Sequence, residues 1–320
     1  MEDKARTKAP MRTCAVAARK GGVGKTFASI SLAVNAAFGG PDKKLPPLKV
    51  LFIDVDSQQN STYFFLKHFG AKVVFEKVLL PKNPDCEDGN VYNITDVFMG
   101  NDFMEYPTQY ENLMVLPSDG HIDNFNGLEF KEGEETVAMA TSTQFKKLIR
   151  FVEEDYDLVI IDTPPSKTFA ATGALAAASD CLVVGALDSW NSEVALPGIL
   201  SDIENNNQLF REKNNPLNVV GILLNKLSSK KITNDEKKHL IKIRDNHREH
   251  LSSNLMLVDR VAFKTTEMPQ DPLNYDYMKD AETAQQMRNF YYHFAQNVLK
   301  DIYADVGVDI DKFIEEQKGA

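Results

Sequence analysis

The heptapeptide KGGVGKT, residues 20–26, follows the apolar run TCAVAA (13–18) and opens a stretch of helical period. Its glycines free the backbone to turn successive N–H groups inward, and a helix starting at the next residue adds the positive end of its dipole. Strand, tight loop and helix must therefore follow one another here. The pattern predicts a phosphate-binding loop shaped by Gly21, Gly22 and Gly24, with Lys25 reaching the β and γ phosphates and the Thr26 hydroxyl facing Mg²⁺. The usual pattern begins with a glycine five residues before Gly24, where this chain has Arg19, followed by a second lysine, Lys20.

The rest of the chain has the alternation that such a start demands. Apolar runs at 12–18, 49–55, 113–117, 156–162, 180–187, 218–225 and 255–259 read as strands, and most are continuous rather than alternating, as in strands covered on both faces. Helical periodicity falls at about 25–38, 142–154, 168–178, 192–207, 233–250 and 280–303. In the last, Met287, Phe290, Tyr291, Phe294, Val298 and Ile302 form one apolar stripe, expected to pack on the sheet. The fold class is α/β: a mostly parallel, twisted sheet with helices on both faces.

No linker or repeat divides the chain, so a single domain over 11–303 is expected, after a flexible segment 1–10 and before an acidic tail 304–320. Residues 67–140, rich in Pro, Gly, Asn and Asp clusters, read as an irregular insertion. The cysteines Cys14, Cys86 and Cys181 are too widely spaced for a zinc or iron–sulfur centre, and Cys14 and Cys181 lie inside apolar runs. No run of about 18 apolar residues offers a bilayer span and no apolar leader opens the chain, so the expected location is cytoplasmic, without membrane attachment. A net charge of −10 opposes a generally basic surface while leaving room for a local patch.

A magnesium phosphate site needs carboxylates at the ends of neighbouring strands. VLFIDVDSQQN ends an apolar run with Asp54 and Asp56, and LVIIDTPPS ends another with Asp162. One of these should hold metal through water and another should orient the water that attacks the γ phosphate.

With these segments in view, the chain resembles the ParA/MinD type of P-loop ATPases, whose Walker A motif is a deviant one. The similarity runs through KGGVGKT, FIDVDSQQN and VIIDTPPS and more loosely through 90–119 and the C-terminal third. Within that family it looks most like the ParA partition and cargo-positioning ATPases. The resemblance implies ATP and Mg²⁺ as cofactors and an ATP-bound homodimer in which Lys20, the signature lysine, contacts the partner's phosphates. It implies catalytic roles for Lys20, Lys25 and Asp56, a nucleotide-binding stretch from Gly21 through Val23 to Phe27, metal-side oxygens on Thr26, Asp54 and Asp162, and adenine reading by Asn225. The switch reads DSQ here where the family has DPQ.

The resemblance further implies slow ATP hydrolysis, stimulated by a ParB-like or cargo-adaptor protein, and nucleoid association through non-specific DNA binding in the ATP state. For DNA the sequence offers Lys230, Lys231, Arg260 and Lys264, near other lysines between 226 and 244; the same charges equally suit a solvated helix face. A basic membrane helix, bridging cluster cysteines and an N-terminal helix-turn-helix, which mark other branches, are not expected. Two functions stay open: DNA-based partition or positioning of a plasmid, chromosome region or protein assembly, and a nucleotide-switched protein-binding module at a membrane or secretion complex that never touches DNA.

Overall fold

The apolar runs become neighbours in one sheet. The computed structural model describes residues 8–87, 89–122, 134–186, 191–225, 233–246 and 281–318 of the 320-residue chain. In chain order these form β1 (Arg12–Ala17), α1 (Lys25–Ala37), β2 (Val50–Asp54), α2 (Asn60–Leu66), β3 (Lys72–Val74), β4 (Lys77–Leu79), α3 (Ile94–Met99), β5 (Tyr106–Pro107), β6 (Leu113–Leu116) and α4 (Glu134–Val152). They continue with β7 (Leu158–Asp162), α5 (Phe169–Ala177), β8 (Asp180–Ala186), α6 (Leu196–Phe210), β9 (Asn218–Asn225), α7 (Asn234–Asn246), α8 (Ala281–Val298), α9 (Lys300–Asp305) and α10 (Ile310–Lys318). The expected strand at 255–259 lies outside the described residues.

A seven-stranded sheet runs β5-β6-β2-β7-β1-β8-β9, parallel throughout except for the short antiparallel edge pair β5–β6. β3 and β4 form a separate antiparallel hairpin. Continuous apolar strands suit this layout because alternate side chains enter two different cores. Cys14, Val16, Phe52, Ile160 and Leu182 face one layer with α1, α2, α8, α9 and α10; Ala15, Leu51, Ile53, Ile161 and Cys181 face the other with α3, α4, α5 and α6. Cys14 and Cys181 are both free and buried, and burial raises both thiols, Cys181 to about 12, which keeps them protonated packing groups.

The apolar stripe of α8 packs as its spacing predicts, with Met287, Phe290, Tyr291, Phe294 and Val298 all buried, and Ile302 of α9 carries it on. The Tyr291 and Tyr303 hydroxyls meet at 2.7 Å, so neither phenol is stranded in the core. The segment after 303 folds back as α10: Ile310 and Ile314 enter the same core, Phe313 packs edge-on against Tyr292, and Lys300 pairs with Asp311 at 2.6 Å. Within 67–140 lie the hairpin, α3, β5, β6 and the start of α4. A capping box on Asn93 and Asp96 sets the start of α3, and Gly100 closes it.

Because Phe294 is fully buried whereas Phe151 is 72% exposed, Phe294→Ala should cost about 3–5 kcal/mol while Phe151→Ala stays within about 0.5 kcal/mol, both read from urea unfolding.

Candidate functional site

The loop between β1 and α1 is built as its glycines require. Gly22 and Gly24 hold φ of 74° and 92°, in the left-handed region, and Gly24 caps α1 with no side chain across the helix start. The first-turn N–H groups of α1 therefore stay directed at the loop, the arrangement that attracts a phosphate. Gly21 and Gly22 are exposed, Val23 and Phe27 are buried beneath them, and Lys20 and Thr26 are half-buried.

Parallel pairing brings the carboxylates together. β7 lies between β1 and β2, with Val16 beside Asp162 and Asp54 beside Asp162. The carboxyl ends of three strands thus meet below the loop, where open α/β sheets hold ligands. Lys25 is 6% exposed, and its Nζ sits 2.5 Å from Asp162 Oδ1 and 3.7 Å from Asp56 Oδ2. Ser29 Oγ, one turn further along α1, donates to the same Asp162 oxygen at 3.0 Å, and Ser61 Oγ donates to Asp162 Oδ2 at 3.3 Å.

Asp54 is fully buried and surrounded by donors: Asp56 N–H at 3.0 Å, Thr62 N–H at 2.9 Å and Thr62 Oγ1 at 2.7 Å. Burial and then the neighbouring Asp162 charge outweigh those donors and push its carboxyl up to about 7. Asp56, one loop residue on, accepts from Gln58 N–H at 3.0 Å.

Other contacts brace the site. Arg19 turns away from the loop, donating to Gly198 O at 3.0 Å and pairing with Asp202 at 2.8 Å on α6. Gln59, with φ of 53° and 1% exposure, donates to Val78 O and Ser118 O at 3.1 and 2.8 Å and accepts from Val78 N–H at 2.9 Å. A Cβ on Gly120 would stand 2.5 Å from Gln59 Oε1, so only glycine fits there. Thr62 Oγ1 also accepts from Ser118 N–H at 2.9 Å, which ties the end of β6 to Asp54.

The structure therefore gathers Lys25, Asp54, Asp56 and Asp162 into one cluster, with Thr26 and the glycine cradle beside it. Asn225 ends β9, alongside Ala186 of β8; its side chain lies outside the description, as do Lys230, Lys231, Arg260 and Lys264. Sequence reasoning passed over Ser29, Gln59, Ser61 and Thr62. For the last three the signal was a run of small hydroxyl and amide residues, QNST, immediately after the DSQ turn, where α2 begins; Ser29, one turn into α1, carried none. The donor set fits a magnesium–triphosphate group: a cationic amine, helix-start N–H groups, a threonine hydroxyl and hard carboxylate oxygens.

Comparison with known proteins agrees with this geometry. Residues 11–219 match the family model AAA_31, described as an AAA domain. The chain is 28% identical over 218 residues to the sporulation initiation inhibitor protein Soj of Bacillus subtilis, covering 68% of this chain and 73% of that one. McdA of Cyanothece superposes with a TM-score of 0.63 at 18% identity, over 88% of this chain and 99% of the other. A putative plasmid partition protein of Borrelia burgdorferi, solved with AMPPNP, gives 0.58 at 20% identity, over 91% and 100%. At such identities these two likenesses concern the fold.

Removing the buried cation should leave adjoining carboxylates uncompensated. Lys25→Met is expected to lose about 3–5 kcal/mol in urea unfolding without nucleotide, where a solvated lysine would lose almost nothing. Asp54 sets a pH dependence: a carboxyl raised from 3.8 to about 7 holds a proton that the unfolded chain gives up, so its contribution is full below 3.8 and is lost as pH climbs towards about 7. Thr62→Val removes a donor that favours the ionised form and should move the falling limb of the thermal midpoint to higher pH.

Proposed function

The chain belongs to the AAA_31 family as a P-loop ATPase of the ParA/MinD type, and from that premise we propose that it is a Mg²⁺-dependent ATP hydrolase that dimerises around two nucleotides. In this reading the ATP state binds DNA non-specifically and positions a cargo. The observation that carries the nucleotide chemistry is Lys25, buried at the helix start between Asp162 and Asp56 at 2.5 and 3.7 Å.

Lys25 serves the β and γ phosphates of its own subunit, exchanging a carboxylate partner for a phosphate one. Lys20, ahead of the glycines, serves the phosphates across the dimer. Thr26, Asp54 and Asp162 would hold magnesium, which would supply charge neutralisation on the phosphate oxygens. Asp56 orients the attacking water, its second oxygen fixed by Gln58 N–H. Gly21, Gly22, Val23, Gly24 and Phe27 complete the nucleotide cradle, and Asn225 at the end of β9 reads the adenine. An orienting carboxylate without a further cation leaves the transition state under-stabilised, which favours slow turnover until a ParB-like or cargo-adaptor partner acts.

The DNA part rests on the family and on the basic residues Lys230, Lys231, Arg260 and Lys264. ATP-dependent retention on a non-specific duplex should fall steeply between about 50 and 200 mM salt and should fall again on Arg260→Glu or Lys264→Glu. Retention indifferent to ATP, salt and both substitutions would favour the nucleotide-switched protein-binding module, with ATP turnover measured alongside to keep the hydrolase reading separate.

A further inference from the structure

The β3–β4 hairpin leaves one strand edge open. Its strands pair Lys72 with Leu79, Val73 with Val78 and Val74 with Lys77 around a two-residue turn. Val74 and Lys77, flanking the turn, exchange the ladder bonds, so Val73 and Val78 point their N–H and C=O groups outwards on opposite edges. On the β4 edge Gln59 takes the place of a strand, binding both the N–H and the C=O of Val78. On the β3 edge no described residue engages the backbone of Val73, and the residue is 56% exposed.

The turn itself is held in an unfavourable form. Phe75 and Glu76 have φ of 48° and 64°, which costs an L-residue about 1–2 kcal/mol each where Asn-Gly would sit at ease. That turn presents Phe75, 96% exposed, at the tip, with Val74 and Leu79 exposed on the flank. Backbone strain of this kind persists only where the surrounding structure holds it, and it clusters at ligand clamps and switch regions.

We propose that the outer edge of β3 receives an extended acidic and aliphatic segment of a partner protein as an added strand. Backbone bonds to Val73 would set the register, Val73 and Phe75 would supply apolar contact, and Lys72 and Lys77 would supply charge. Charge selects this occupant. Residues 67–79 carry three lysines against one glutamate in a chain of net charge −10, so a second copy would bring lysine towards lysine whereas an acidic strand is attracted. Gln59 lies three residues after Asp56 and binds the opposite, β4 edge of the hairpin, so the hairpin as a unit is tied to the switch loop. That link deepens the partner-stimulated reading of the function, while docking itself needs no nucleotide and is tested without it.

The test uses the full chain and a fluorescent peptide of about eight residues alternating glutamate and valine, with a lysine–valine counterpart. Fluorescence anisotropy should show binding of the acidic peptide and not of the basic one. Val73→Pro deletes an outward N–H that the hairpin does not use and should weaken binding about tenfold or more. Phe75→Asn with Glu76→Gly relaxes the turn, removes the aromatic ring and should also weaken it. In the unsubstituted chain the peptide should slow amide exchange at 72–75, a readout that holds even if Val73→Pro fails to fold. Equal binding of both peptides, or no slowing at 72–75, overturns the proposal. So does a self-associated dimer lost in Val73→Pro, or sedimentation with phosphatidylglycerol vesicles that needs Phe75 and tolerates Val73→Pro.

Discussion

Two buried carboxylates side by side are intolerable without a cation, and the parallel register of β2 with β7 puts Asp54 beside Asp162. Lys25 resolves this by reaching Asp162 from the first residue of α1, and Asp54 takes up the remaining strain by a carboxyl displaced to about 7. Strand order, loop and helix are coupled through that contact. β7 must lie between β1 and β2 for the three ends to meet, and the glycines must turn tightly enough for Lys25 to enter. The same contact makes the cluster responsive, because a phosphate competes with carboxylates for one amine.

From this centre, two side chains carry rigidity outwards. Arg19 bolts the start of the phosphate loop to α6, so the residue that departs from the usual glycine has a structural job. Gln59 joins the switch loop to the end of β6 and to the hairpin, with Gly120 making room for its amide. Lys20 stands between Arg19 and the glycines in the chain and is half-buried.

Much of this was legible in the sequence where one physical signal dominated. The central strands were readable because both faces are buried, which leaves uninterrupted apolar runs, and α8 was readable because its stripe repeats over several turns. Asp54, Asp56 and Asp162 were readable as strand-end carboxylates after a glycine loop. Short elements were not: α2, α3 and the hairpin span too few residues for periodicity to accumulate, and Phe-Glu carries none of the usual hairpin turn chemistry. The beginning of α4 at Glu134, ahead of the expected 142, was hidden by polar residues, and α10 was hidden by acidic ones that mask Ile310, Phe313 and Ile314. Gln59 was beyond reach, since its partners Val78 and Ser118 are distant in sequence and meet it only in the fold.

In the proposed function each nucleotide pocket is shared, with Lys25 and Asp56 acting within a subunit and Lys20 acting across the dimer. The direct measurement is ATP turnover in a mixture of Lys20→Ala and Asp56→Ala chains, each inactive alone. A mixed pair contains one pocket with its own Asp56 and the partner's Lys20 intact, so mixing should restore hydrolysis. Turnover that stays at the level of the separate variants, while subunit exchange is demonstrated by fluorescence transfer, would place Lys20 in its own subunit's pocket and rule out a shared one.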